Sequence, residues 1–399
     1  MDQKITSPNI SELKLILLLV LAQFLDILDF MMVMPLGPDY AKGLSINLSE
    51  LGFTAVAYTI SAAITGFLSS IYIDRFERKK VLLLAISGIV VADIIAGFST
   101  NYATFLFSRF LSGIFGGPST AVAFAIIADL VAPEKRGYVI GKVMSAFSLA
   151  ASLGVPICLQ ISLNYGWQNS FFAVALIGVI VIIVNLLFLP KINIHLRDQE
   201  SIVSYKSLLN NETNLMAITF SSLGMLASFM IIPYISAYLQ YNLDFPRSGI
   251  GPLYFIGGIA SFITVQIIGK FVDKYSSVRI AFIANFFFAV TLFFGFTFYL
   301  PFIPIPVIYV PFMIAMSMRI IANSTLISKV PKPHERAGFM SIISMSQHIA
   351  SALGSLIASL MLVQINPVSP LQNMGLVAMT ALAIFISLPF LMARVEKKL

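Results

Sequence analysis

Twelve runs of mostly apolar residues divide this sequence, at roughly 13–35, 51–73, 80–99, 103–128, 138–162, 170–190, 214–238, 250–271, 279–299, 305–328, 338–363 and 374–393. A helix rising ~1.5 Å per residue needs about 20 such residues to cross the ~30 Å hydrocarbon core of a bilayer. The composition leaves no other use for them. Apolar residues make up 58% of the chain, charged residues only 11%, and the mean hydropathy is +0.92, against about 45–50% apolar and about 25% charged in soluble domains. The predicted fold class is therefore all-α integral membrane, with twelve transmembrane helices. Lys4 and Lys14 stand before and at the start of the first run, but that run exceeds a signal-peptide core and no small-residue cleavage site follows it. It is expected to be a retained helix. The single Cys158 excludes a disulfide framework and any multi-cysteine metal site.

The chain also repeats itself. Asp74-Arg75 is echoed by Asp273-Lys274, and Pro133, Arg136 and Gly137 by Pro333, Arg336 and Gly338. Ala150, Leu153 and Gly154 recur as Ala350, Leu353 and Gly354, and Asp29-Phe30-Met31 becomes Ser228-Phe229-Met230, with Pro35 answered by Pro233. The longest polar stretch lies between the sixth and seventh runs. The expected organisation is a six-helix bundle at 1–190, a cytoplasmic linker at 191–213 and a pseudo-symmetric six-helix bundle at 214–399. Two similar helical halves suit a device that rocks one half against the other around a central site. With the N-terminus placed in the cytoplasm, all but four of the 25 basic residues fall in inner loops and tails. The exceptions are Lys42 and Arg247 outside, and Arg109 and Arg319 within spans. This asymmetry places both termini in the cytoplasm. It also accounts for the net charge of +7 by attraction to an anionic inner leaflet, so no nucleic-acid partner is expected.

Between the second and third runs stands Gly66-Phe-Leu-Ser-Ser-Ile-Tyr-Ile-Asp74-Arg75-Phe76-Glu77-Arg78-Lys79-Lys80. It resembles the G-x-x-x-D-R-x-G-R-[RK] loop of the major facilitator superfamily, with Glu77 at the second glycine and Ser70 at the first. Arg109-Phe-Leu-Ser-Gly113-Ile-Phe-Gly116-Gly117 is similar to that superfamily's R-x-x-x-G motif. Gly154-Val155-Pro156 resembles part of the antiporter motif of drug–proton exporters, although Ala150, Ile157, Cys158 and Leu159 depart from it. Gly166-Trp167 resembles a common entry to helix six, with Gln168 in place of arginine. The segment Leu28–Pro38 looks like helix one of bacterial twelve-helix drug–proton antiporter-type exporters. The resemblance spans the chain. It implies the major facilitator fold and a bacterial inner-membrane, multi-pass location. It further implies that Asp74, with Arg75 and Arg78, gates the cytoplasmic mouth by docking at the start of helix eleven near Gly338, where the helix dipole is positive. Arg78 also belongs to a basic cluster that fixes topology.

Ionisable residues inside a membrane are costly, at least ~2.5–3.5 kcal/mol on the lenient scale, and mark functional sites. Asp26 and Asp29 share a face of helix one at i, i+3. Either they couple transport to a proton or a cationic substrate, or they tie helix one to a neighbour. Asp29 is favoured for coupling. Arg109 is expected to serve proton transfer or contact helix one, as the resemblance implies, or to form a fixed ion pair. Arg319 is expected either to draw an anionic or zwitterionic substrate or to neutralise Asp26 or Asp29 across the halves. His348 is a relay candidate or a hydrogen-bond partner, and Gln347 a helix–helix contact. Asp93 reads as structural and Asp129 as an interfacial charge. Tyr58, Tyr234, Tyr238 and Tyr254 are candidates for the substrate cavity, or core. Gly113, Gly116, Gly117, Gly154 and Gly354 suit close helix packing, and Pro156 should bend helix five.

The predicted function is proton-coupled efflux of small amphipathic compounds such as a drug, metabolite or siderophore. Alternatives are proton-coupled uptake of a sugar or organic acid, or a non-transporting sensor. The expected partners are a small-molecule substrate and the lipid bilayer, and the protein is expected to be a monomer. No cofactor is expected, the proton gradient being the energy source. No enzyme is expected either, since the chain lacks H-E-x-x-H, G-x-S-x-G and a phosphate-binding loop, and His195, His334 and His348 are far apart.

Overall fold

The computed structural model describes residues 10–193, 208–332, 336–366 and 369–399. Twelve helices in it are long and apolar enough to span a membrane. α1 is Glu12–Val33, α2 Leu51–Tyr72, α3 Arg78–Gly97 and α4 Tyr102–Leu130. α5 joins Pro133–Leu149, a π-helical turn at Ala150–Gly154 and Val155–Tyr165, and α6 is Trp167–Phe188. α7 joins Glu212–Ile231, a 3-10 turn at Ile232–Tyr234 and Ile235–Tyr241. α8 is Arg247–Tyr275, and α9 joins Ser277–Leu292 to a π turn at Phe293–Thr297. α10 is Ile305–Lys329, α11 Arg336–Met361 and α12 Met374–Glu396. A short helix, Gly37–Leu44, follows α1. Among the described residues the only extended pairing is an isolated bridge between Val363 and Gln372.

Side-chain oxygens start the spans. Asn101 accepts from Thr104 N at 2.9 Å to open α4, and Glu77 accepts from Lys79 N at 2.9 Å and Lys80 N at 3.2 Å to open α3. Each satisfies amide groups that the first turn leaves without a helical partner. Proline sets the interruptions. Pro156 has no N–H to give the carbonyl one turn back, and the turn before it opens to π geometry, with Val155 N–H bonded to Ala150 O. Pro233 likewise leaves the Phe229 carbonyl without a helical donor, and Ser355 on α11 supplies one at 3.3 Å.

Close helix crossings rest on missing side chains. A Cβ at Gly113 would strike the Tyr58 carbonyl, one at Gly117 the Ala62 carbonyl, and one at Gly354 the Leu226 carbonyl. At Gly154 it would meet the Leu28 side chain. These positions bring α4 against α2, α11 against α7, and α5 against α1.

Both described chain ends lie at one face. Lys135 at the start of α5 reaches Glu12 on α1 at 3.3 Å, and Lys398 reaches Glu212 on α7 at 2.5 Å. The polar contacts between the first six and last six spans gather at the opposite face. Ser359 Oγ donates to Ser49 O at 2.5 Å, Tyr234 Oη to Ser49 O at 3.2 Å, Leu48 N to Gln364 Oε1 at 2.6 Å and Ser236 Oγ to Pro35 O at 2.8 Å. Asp39 of the short helix receives a two-pronged guanidinium from Arg247 at the head of α8, with Nε–Oδ1 at 2.8 Å and Nη2–Oδ2 at 2.5 Å. Ser162 donates to the same carboxylate at 2.6 Å, and Arg247 also reaches Leu159 O at 3.0 Å. A bidentate pair with two further bonds fixes orientation as well as distance.

Gly354→Leu is expected to lower stability by about 1–3 kcal/mol through overpacking against α7. Gly269→Leu, at a position where nothing lies within 4 Å of the added carbon, should leave the thermal unfolding midpoint of the purified protein unchanged.

Candidate functional site

Asp29, Asp93 and Arg109 come together inside the first bundle from α1, α3 and α4. Arg109 Nη1 donates to Asp29 Oδ1 at 2.6 Å and Nη2 to Asp93 Oδ1 at 3.3 Å. The side chains are 0%, 0% and 1% exposed. The guanidinium carbon also lies 4.9 Å from the Phe171 ring centroid and 5.8 Å from that of Phe105. With both carboxylates ionised the trio carries one uncompensated negative charge, buried away from bulk solvent. The second oxygen of each, Asp29 Oδ2 and Asp93 Oδ2, has no hydrogen-bond partner. Such acceptors are expensive to leave unmade, and a single proton held between the two carboxyls balances both the charge and the missing donor.

Asp26, one turn earlier on the same face of α1, has a different setting. It is 4% exposed and receives Tyr58 Oη at 3.3 Å and Thr120 Oγ1 at 3.4 Å. Thr120 also bonds Gln23 Oε1 at 3.0 Å, and Gln23 Nε2 reaches Ser119 Oγ at 3.4 Å. Gly116 leaves the room that the Asp26 carboxylate and the Tyr58 hydroxyl occupy. Phe30, between the two aspartates and the second bundle, stacks 4.6 Å from Tyr58 and 5.9 Å from Phe229 of α7. Beside it an apolar cavity lined by Val33, Met34, Thr54 and Ala55 ends on Arg109. The buried charge thus borders the seam between bundles.

The second bundle holds no such trio. Arg319, midway along α10, sets its guanidinium carbon 3.8 Å from the Phe385 ring centroid and 4.7 Å from that of Phe288. It pairs with neither Asp26 nor Asp29, both of which find their partners within the first bundle. The expectation that it neutralises one of them across the halves is corrected for this structure. Two cation–π contacts contribute ~0.5–2 kcal/mol each and offset part of the cost of a guanidinium without a counter-ion in a membrane, at least ~2.5–3.5 kcal/mol. His348 is partly exposed and has no hydrogen-bond partner among the described residues. Gln347 beside it donates to Ser221 on α7 at 2.6 Å, a helix–helix contact.

The four tyrosines do not line one path. Tyr58 adjoins Asp26, whereas Tyr234 is fully buried in the seal opposite the termini. Tyr238 packs 5.1 Å from Phe296, and Tyr254 lies 5.4 Å from Tyr309, both within the second bundle. At the terminal face, Arg78 is 4% exposed and bonds Asp129 on α4 at 2.9 Å. Asp129, read from the sequence as an interfacial charge, is 14% exposed. The α3–α4 packing puts Arg78 beside it, and Arg136 bonds the Val131 and Ala128 carbonyls. Arg75 is exposed and lies over the Tyr72 ring, and Gly338 falls in the first turn of α11. The Asp74 side chain, His195 and His334 lie outside the described residues and side chains. Sequence reasoning set Asp93 aside because its helix was expected to flank the cavity. The usable signal was simply a carboxylate in the middle of an apolar run.

A sealed face, a buried charge at the seam and two six-helix bundles define a multi-pass membrane transporter. The family model of the Major Facilitator Superfamily matches residues 19–355 and 217–398, and the chain belongs to that family. Multidrug resistance protein 2 of Bacillus subtilis is 25% identical over 283 residues, 68% of this chain and 70% of that protein. Among solved structures, the nucleoside transporter NupG superposes with a TM-score of 0.76 at 14% identity, covering 96% of this chain and 99% of that one. A D-xylose–proton symporter does so with a TM-score of 0.76 at 15% identity, covering 94% and 97%.

Arg109→Ala leaves two carboxylates facing each other in a buried site, and the expected loss is ~3–5 kcal/mol, read as a lower unfolding midpoint. Replacing the whole trio by neutral isosteres (Asp29→Asn, Asp93→Asn, Arg109→Gln) should recover most of that stability.

Proposed function

We propose that this transporter is a proton-coupled exporter of small amphipathic compounds, acting as a monomer in a bacterial cytoplasmic membrane by alternating access. The observation that carries the reading is the Asp29–Arg109–Asp93 trio, whose two carboxylates share one guanidinium and leave one oxygen each without a donor. A proton bound there neutralises the unit. Its release frees a carboxylate to compete for Arg109, and that shift in pairing lies against Phe30 and the α2–α7 seam. The proton gradient serves as the energy source in place of a cofactor. The clustering of basic residues at the face carrying the termini supports a cytoplasmic position for that face. The Asp39–Arg247 face is then the outer mouth, held shut here. The similarity to a multidrug resistance protein supports export of amphipathic compounds.

The second reading is proton-coupled uptake, which the same carboxylate unit would serve equally well. Inside-out vesicles separate the two. Export is expected to accumulate a fluorescent amphipathic substrate, chosen from a panel of differing charge, when the vesicle lumen is acid. Accumulation only with an alkaline lumen would mean uptake. Asp29→Asn is expected to reduce gradient-driven accumulation to the level of empty vesicles while folded protein stays in the membrane. Full accumulation by that variant would overturn the coupling role.

A further inference from the structure

Among the described residues Arg319 has no counter-charge in the second bundle. The described carboxylates from residue 214 onward are Asp244, which precedes α8, and Glu396, which closes α12. Arg319 stands 14 residues into α10, about 21 Å from its start at ~1.5 Å per residue. Neither of these carboxylates is at its depth.

The surroundings of Arg319 hold the guanidinium without using its donors. Phe288 of α9 and Phe385 of α12 face it with their rings, set at 81° to one another. Nη2 points toward Gly224 of α7, where no side chain intervenes. No described residue accepts a hydrogen bond from it. Aromatic faces orient a guanidinium through its π surface and leave its in-plane N–H groups free. Those groups match a planar carboxylate in two parallel bonds. The side chain is partly exposed and sits among Gly224 of α7, Phe288 of α9 and Phe385 of α12. The nearby walls, Phe288, Phe385 and Leu388, are apolar. One turn along α7 from Gly224, Ser221 takes the Gln347 amide from α11, and the unbonded His348 is the next residue on that helix.

We propose that Arg319 anchors a binding site for an anionic amphipathic molecule, with a carboxylate or like planar anion on the guanidinium and an apolar body against Phe288, Phe385 and Leu388. The site deepens the transport reading by naming the substrate class and rests on it only for the direction of movement. An anion bound there supplies the charge that the second bundle lacks. A cationic substrate would be repelled from the same place.

The test is ligand-dependent thermal stability of the purified chain without any proton gradient, so its failure leaves the coupling role of Asp29 standing and the reverse also holds. The probes are 1-naphthylacetate, 1-naphthaleneethanol and 1-naphthylmethylamine, which share a body and differ in charge. A ligand that binds only the folded state raises the unfolding midpoint. The acid alone is expected to do so saturably, and Arg319→Gln should weaken its binding at least tenfold. Arg319→Lys, which keeps the charge but loses the fork, should also weaken it tenfold or more and carries the test where the glutamine variant does not fold. An equal response to all three probes, no response to the acid, or unchanged affinity in the variants would overturn the site.

Discussion

A guanidinium held between two carboxylates, buried away from bulk solvent, is the constraint on which the rest of the structure depends. Arg109 cannot give up its charge, so α1 and α3 must each present an aspartate to α4. The small residues of α4 follow from the same need. Gly113 and Gly117 let α2 lie against α4 backbone to backbone, and Gly116 admits Asp26 and Tyr58. An unpaired charge in this setting is destabilising enough to drive rearrangement. The proposed binding and release of a proton at this unit would therefore act on the helix packing itself.

The two bundles share a frame and divide their chemistry. The first concentrates acid: Asp29 and Asp93 around Arg109, and Asp26 among hydroxyls. The second places Arg319 against rings and carries no carboxylate at the same depth. The seal opposite the termini joins them with bonds from the loop after α1 and the ends of α7 and α11, clasped by Asp39 and Arg247. These contacts connect residues near helix ends. They can be made and broken as the bundles tilt without disturbing the buried trio.

The spans were legible because each needs only an apolar run of sufficient length, and family membership because the Asp74-Arg75 loop and the Arg109 motif stand intact enough to read. The break in α5 was legible from Pro156, since a missing N–H has one consequence in a helix, but its form as a π turn depends on how Gly154 meets Leu28. Asp26 and Asp29 looked alike because they share a face. Their separation into hydroxyl and guanidinium environments is set by which residues α2, α3 and α4 bring up, and periodicity does not carry that. Asp93, read as structural, meets Arg109 through the rotation of α3 about its axis, which periodicity does not carry either. The Asp39–Arg247 clasp and the Arg78–Asp129 pair join residues distant in the chain, and only the tertiary arrangement makes them neighbours.

Proton coupling as proposed requires the trio of Asp29, Asp93 and Arg109 to bind one exchangeable proton as a unit. Potentiometric titration of the purified protein measures this directly, by comparing wild type with the Asp29→Asn, Asp93→Asn double variant. Across the neutral pH range the wild type is expected to take up about one more proton per molecule than the variant, reversibly and with the fold intact, the second carboxylate staying ionised against Arg109. Superimposable titration curves would contradict it.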